Sequence, residues 1–394
     1  MTRPIIFAIL SFCAVEAGAN SPADIRRDSA TAQTALHADT ARNKKNFMQK
    51  LRNYFNSSNK IDNSKKFDVG ILGGPHYSTD TGFGIGIVGT GRYRQDRSDT
   101  LSPPSDVALF GDVTTKKSYT VGIRGTHIFP QDRGRIEYTL AVNSFEAKYW
   151  GIGYEMGNND ANESKMKRWK ILAKASVMWE VGHNFFIGPA FTYDYVYAHE
   201  MTRPELLLGM DNQTWNIGGG LTIAYDSRDV LTKPTKGVYL NVTQLFRPRF
   251  LCNGYDFITT DFRFNAYGRL WHRAVIAGDV RGTLNFGDPS WGMMSMIGNS
   301  FSMRGYYEGR YRDKHKIEAQ VELRQDFWKR CGVAIWGGAG TVFNKFSAMR
   351  FDRLLPNWGL GFRWEFKKNS NIRLDYGFGK SGISGFVFNI NEAF

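Results

Sequence analysis

The chain has 394 residues, a formal net charge of +14, 14% aromatic residues, 42 glycines and only 12 prolines. No run of about 18 apolar residues follows the N-terminus, which excludes a helical membrane span. Its basic residues are dispersed along the whole chain with no compact helix or finger to present them, a distribution that suits anionic lipid headgroups and solvent and argues against a nucleic-acid partner.

The first residues have the form of an export signal. Arg3 supplies the positive start, Ile5 to Val15 a short apolar core, and Ala17-Gly18-Ala19 the small-x-small site of a signal peptidase. Residues 1–19 are therefore expected to be removed on export across an inner membrane. From 20 to 66 the chain is a polar, basic arm in which Phe47, Leu51, Tyr54 and Phe55 recur at helical spacing. Two readings stay open for it: an amphipathic helix lying on the inner leaflet or entering a lumen, and a disordered periplasmic lead-in.

From Phe67 onward, apolar and polar residues alternate with a period of two in sixteen segments: 67–75, 81–93, 104–112, 117–128, 134–144, 166–179, 184–197, 214–226, 236–247, 255–270, 272–285, 314–327, 331–343, 356–367, 370–379 and 383–394. An even number of roughly ten-residue segments, rich in glycine and aromatics, predicts an all-β fold. The specific expectation is a transmembrane antiparallel β-barrel of about sixteen strands over 67–394, with both chain ends inside. Connections after the fifth, seventh, eleventh and thirteenth segments are long, as outer loops should be. Those after the second and third break that rule.

Individual stretches carry further expectations. The first strand contains Gly73, Gly74 and Pro75, and a proline, which donates nothing to a ladder, belongs at a sheet edge or a strand end. Asp226, Arg228 and Asp229, followed by Pro234 and Gly237, read as the bracing of a tight inner turn. The segment from Asn285 to Arg312 is too long for a passive connection, and loops of that size are usually functional. After it, Ile317, Ala319, Val321 and Leu323 alternate with Lys316, Glu318, Gln320, Glu322, Arg324 and Asp326, one face for oil and one for water. Trp358, Leu360, Phe362, Trp364 and Phe366 likewise alternate with Gly359, Gly361, Arg363 and Glu365, and Ile372, Leu374, Tyr376 and Phe378 with Arg373, Asp375 and Gly377. Gly382 and Gly385 flank the start of the last strand, where Phe386, Phe388, Ile390 and the terminal Phe394 share one parity. Cys252 and Cys331 fall in an outer loop and at an inner turn, too far apart to pair.

Catalytic chemistry finds no support. His76, His127, His183, His199, His272 and His315 lie on different segments with no pair at metal-ligand spacing. There is no Gly-x-Ser-x-Gly elbow. Gly84 to Gly89 spells a dinucleotide fingerprint, but inside an alternating strand with no helix after it. No cofactor, metal or catalytic residue is expected.

The run Met303-Arg304-Gly305-Tyr306 resembles the Arg-Gly-aromatic signature in the sixth extracellular loop of the BamA/TamA family of outer-membrane proteins, also called the bacterial surface antigen family. The stretch Tyr225 to Asp229 with Pro234 and Gly237 is similar to that family's turn between the eighth and ninth strands. The segments Gly359 to Arg363, Arg373 to Gly377 and Phe388-Asn389-Ile390 are similar to its closing strands. A C-terminal aromatic looks like the address by which such barrels are recognised for insertion. The resemblance, which covers roughly residues 67–394, implies residence in the outer membrane of a Gram-negative-type bacterium. It implies a loop folded into the lumen and locked by Arg304 to a carboxylate of the inner wall, with Glu365 the first candidate and Asp375 the second; Glu308 within the loop competes. It also implies a lateral seam between first and last strands, around Gly73, Gly74, Pro75, Gly382, Gly385 and Phe394, through which client β-strands enter the membrane. Expected partners are outer-membrane lipid, client barrel proteins and an envelope assembly complex. The arm is too short for the POTRA modules of most relatives, so a POTRA-less member is expected. The alternative is a non-catalytic barrel that anchors a surface complex or forms a narrow pore.

Overall fold

A computed structural model describes residues 67–78, 82–96 and 102–394. The expectations for the export signal and the basic arm lie outside these residues. Sixteen strands form one sheet in which each pairs antiparallel with its neighbours in chain order. They are β1 (Phe67–Ser78), β2 (Gly82–Tyr93), β3 (Ser105–Thr114), β4 (Tyr119–Ile128), β5 (Gly134–Tyr149), β6 (Ser164–Gly182), β7 (Phe185–His199), β8 (Gln213–Asp226), β9 (Gly237–Arg247), β10 (Phe257–Arg269), β11 (Ala274–Gly287), β14 (His315–Trp328), β15 (Cys331–Phe343), β16 (Leu355–Lys367), β17 (Ser370–Phe378) and β18 (Ser384–Ile390). Two short strands within the long outer loop, β12 (Ser295–Met296) and β13 (Arg312–Asp313), make a separate ladder. β18 comes back beside β1, so the sheet curls into a barrel.

The distribution of side chains identifies the solvent. Leu360 on β16 is 59% exposed while Arg363, three residues on, is 1% exposed. Val321 and Trp358 point outward as Glu322 and Asn357 point inward. A soluble fold buries the first kind and hydrates the second. This inversion, repeated strand after strand, is that of a wall with hydrocarbon outside and polar groups within.

Two apolar clusters close the outer end. Tyr149, Met166, Val196, Leu206, Leu207 and Trp291 join the loops above β5 to β8. Tyr154, Ile297, Met303, Tyr306, Tyr311, Val342 and Leu355 lie under the long loop.

Two expectations are corrected. The segment after β8 is not a tight turn: residues 227–236 form a strap whose tip reaches the opposite wall, with the Thr232 hydroxyl donating to the Asn369 carbonyl at 2.6 Å and Lys233 Nζ 2.9 Å from Asp326 Oδ2. The last strand does not run to the C-terminus. It stops at Ile390, where Asn391 takes φ +66° and residues 391–394 turn into the lumen. There Phe394 packs on Tyr267 and Ala277, buried instead of continuing the outward row of Phe386 and Phe388. The physical reason is charge: Glu392 accepts from Arg363 Nε at 2.8 Å and Asn371 Nδ2 at 2.6 Å, and Arg324 donates to the Phe394 carbonyl at 2.9 Å.

Candidate functional site: a locked lumenal loop beside an unladdered seam

The long loop, 288–314, leaves β11 at the outer end and folds down into the barrel. Its backbone meets the wall where side chains are absent. Gly305 has φ +102°, and a Cβ there would lie 2.4 Å from the Gly377 carbonyl oxygen; one on Gly377 would lie 2.0 Å from the Arg304 carbonyl oxygen. Two facing glycines therefore let loop and β17 touch main chain to main chain. Asn357 Nδ2 closes the contact by donating to the Arg304 carbonyl at 2.6 Å, and Trp336 Nε1 donates to Asn357 Oδ1 at 3.1 Å. The Tyr306 hydroxyl donates to the Pro356 carbonyl and accepts from the Lys380 N–H, both at 2.7 Å. Met303 is buried in the cluster beneath.

Arg304 is fully buried. Its Nη1 lies 2.7 Å from Asp375 Oδ2 and 2.7 Å from Glu322 Oε2, Nη2 donates to Gln320 Oε1 at 3.3 Å, and the guanidinium stacks 3.5 Å from the centre of the Trp336 ring. The carboxylates are shared. Asp375 also receives Arg363 Nη1 at 2.6 Å and Arg373 Nη1 at 2.7 Å, while Glu322 receives Arg324 Nε at 2.7 Å. Four guanidinia thus interlock with Glu322, Asp375 and Glu392, a network in which no ion is taken out of water without an opposite charge at contact distance. Although burial alone would raise its pKa, Arg363 and Arg324 hold the Glu392 carboxyl below the usual carboxylate range.

Of the two expected partners, the structure brings Asp375 to Arg304 and does not bring Glu365. Glu365 has the inward parity but sits at the inner end of β16, where it accepts from Lys233 at 3.2 Å. Parity assigns a face and not a depth, which explains the difference. Glu308 is exposed, in the field of Arg168 and Lys170 on the other side of the lumen. Glu322, Gln320, Trp336 and Asn357 complete the loop's contacts, and no motif in the sequence marks them as its partners. Glu322 stood on the water-facing parity of its strand, so only the depth to which the loop descends was missing.

The inner-turn residues form a second ion cluster. Asp226 accepts from Arg135 Nη1 at 2.6 Å and Arg228 Nε at 2.8 Å. Asp229 accepts from the Thr235 N–H at 2.8 Å and so braces the foot of the strap; Pro234 is buried within it. Gly237, at φ +107°, has its α-carbon where a Cβ would lie 2.3 Å from the Ser227 carbonyl oxygen.

At the seam, β1 pairs with β2 through all twelve of its residues, and Pro75 lies inside β1, not at its end, opposite Ile85. The absent donor is tolerated because β1 is an edge. Gly73 is exposed on the outer face, Gly382 takes φ +79° in the turn before β18, and Gly385 pairs with Gly377. β18 has only seven residues. Among the described residues no ladder joins β1 to β18 although the two run side by side. No group of three His, Cys, Asp or Glu among these residues is placed to hold a metal.

Residues 112–394 match the Omp85 superfamily domain. Among solved structures the chain is similar to BamA from Haemophilus ducreyi lacking POTRA domains 1-3, with 15% identity, TM-score 0.51, and coverage of 82% of this chain and 70% of that one. It is also similar to CdiB from Acinetobacter baumannii (12%, TM-score 0.54, 83% and 60%) and CdiB from Escherichia coli (10%, TM-score 0.54, 83% and 63%). The chain thus spans less than two thirds of the length of the two CdiB structures, and at these identities the likeness is one of fold. A search of curated proteins gave no match.

Proposed function

The chain belongs to the Omp85 superfamily, and from that premise we propose that this outer-membrane barrel assists insertion or translocation of envelope proteins through the seam between β1 and β18. The observation that carries the reading is the seam itself: a twelve-residue edge strand facing a seven-residue partner with no ladder between them among the described residues. A strand edge that no ladder joins to its neighbour is a template for another strand, and a client segment adding there gains main-chain hydrogen bonds. The locked loop supports this by holding the wall next to the seam rigid during exchange. Folding of the client supplies the driving force; no nucleotide, metal, cofactor or catalytic residue takes part. Client barrels and an envelope assembly complex are the partners this reading requires.

The test is depletion. Loss of the protein should lower outer-membrane levels of other barrels or surface proteins, and cysteines that crosslink the first and last strands should reproduce that loss. Normal levels in both experiments, with a lost surface partner, would favour the second reading, a non-catalytic anchor. Phe351, Phe250 and Leu208, strongly exposed on outer loops, give that alternative its support. A narrow pore fits less well with a lumen crossed by a loop, a strap and a tail.

A further inference from the structure

The strap 227–236 and Arg92 do more than fill space at the inner mouth. In a ring of sixteen strands taken in order, the β8–β9 connection lies opposite β16 to β1. The strap therefore crosses the barrel, and its tip lands on both flanks of the seam. On one flank, Thr232 donates to the Asn369 carbonyl at 2.6 Å in the β16–β17 turn, and Lys233 Nζ bridges Asp326 at 2.9 Å and Glu365 at 3.2 Å. On the other, Arg92 of β2 reaches across β1 and β18 to donate to Ser370 Oγ at 2.6 Å and the Lys368 carbonyl at 3.2 Å; a longer contact of 3.5 Å meets Thr232 Oγ1. The β16–β17 turn is thus held to the β1–β2 hairpin by side chains, and the strap ties down the same turn. A cavity of about 370 Å3 remains between strap and C-terminal tail, lined by Lys233, Arg269, Arg324, Arg363 and Glu392.

We propose that Arg92, Thr232 and Lys233 are the latch that holds the inner end of the seam closed, so that lifting the strap is a precondition for opening. This rests on the reading of the seam as the functional site. Where backbone bonds are missing, side-chain bonds set the closing free energy. A charged hydrogen bond is worth enough to change an open-to-closed ratio by about tenfold or more. Pulling on the strap from the inner side, as a docking partner would, breaks the bonds of Thr232 and Lys233 together and leaves Arg92 with the turn alone.

The experiment uses the full chain in phosphatidylethanolamine–phosphatidylglycerol vesicles. Spin labels are placed at Val69→Cys and Phe388→Cys, two lipid-facing positions on β1 and β18, in a background carrying Cys13→Ser, Cys252→Ser and Cys331→Ser. The parent should give one short distance. Arg92→Gln, and the strap variant Thr232→Val/Lys233→Ala, should each raise a longer-distance population about tenfold, whereas Lys233→Arg should keep the parent distribution. Heat-modifiable mobility checks that each barrel is folded; because the strap variant leaves the wall unchanged, it decides the matter if Arg92→Gln does not fold. An unchanged distribution in the folded strap variant would overturn the latch. No client is present, so an open seam in variants that also fail to change client levels would leave the latch standing and count against the insertion reading alone.

Discussion

The ion network around Arg304 makes an asymmetric prediction: removing the cation should cost less than neutralising the carboxylate it binds. In Arg304→Ala, the loop loses contacts of 2.7 Å to Asp375 and Glu322 and the stack on Trp336. Yet Asp375 keeps Arg363 and Arg373, and Glu322 keeps Arg324. Three guanidinia then face three carboxylates, and no buried charge is orphaned. A loss of about 2–3 kcal/mol is expected, the value of charged hydrogen bonds and a desolvated cation–π contact. In Asp375→Asn, Arg304, Arg363 and Arg373 all lose a carboxylate at 2.6–2.7 Å, and four guanidinia face two carboxylates. Breaking buried pairs from that side costs about 3–5 kcal/mol because uncompensated charge stays in place. The difference is about tenfold or more in the unfolding equilibrium. Urea unfolding in phosphatidylcholine vesicles, followed by tryptophan fluorescence, measures it. If Arg304→Ala proves as costly as Asp375→Asn, the two residues form an isolated pair and the network argument is wrong.

Gly305→Ala should free the loop for proteolysis at Arg310, since its Cβ meets the Gly377 carbonyl and its φ is left-handed, whereas Gly382→Ala, with φ +79° but open space around it, should cost only the backbone term of about 1–2 kcal/mol. Burial alone would lower the pKa of Lys233, but Asp326 and Glu365 raise it above its ordinary 10.5. The strap's ion pairs are therefore fully formed below that value and lost only as pH rises through the higher folded value, so seam opening should increase in that alkaline window and Lys233→Arg should abolish the increase. At mid-wall, Leu360→Arg on the lipid face should destabilise by about 2–4 kcal/mol in the same unfolding assay, and Asn143→Arg, facing the lumen, by far less.

Sixteen alternating segments in the sequence correspond to the sixteen strands of the barrel, because the two faces of each strand meet media as different as hydrocarbon and water. The pattern is strong enough to survive in one chain. What it could not carry was anything set by depth or by contacts across the lumen. Glu365 and Asp375 have the same parity, and only the descent of the 288–314 loop decides between them. The strap read as a turn because Asp229, Pro234 and Gly237 are turn residues, and they do shape its foot; its tip is placed by Asn369 and Asp326, far away in sequence. The C-terminal tail read as strand because Phe394 keeps the outward parity. The attraction of Glu392 to Arg363, unrecorded in any alternation, turns it inward.

These departures share one place in the barrel. The loop is fixed to Glu322, Trp336, Asn357, Asp375 and Gly377 on β14 to β17, and the tail to Arg324, Arg363 and Asn371 on the same strands. The wall on the β18 side of the seam is thus a braced block. Across the seam, the inward positions of β2 are Gly84, Gly86, Val88 and Thr90 before Arg92, small side chains that offer little to brace. A barrel strained at its seam yields where fewer side-chain contacts must break. The β1–β2 hairpin is therefore the part that swings, and Arg92, the residue that crosses to the braced block, is the contact left to release once the strap has lifted.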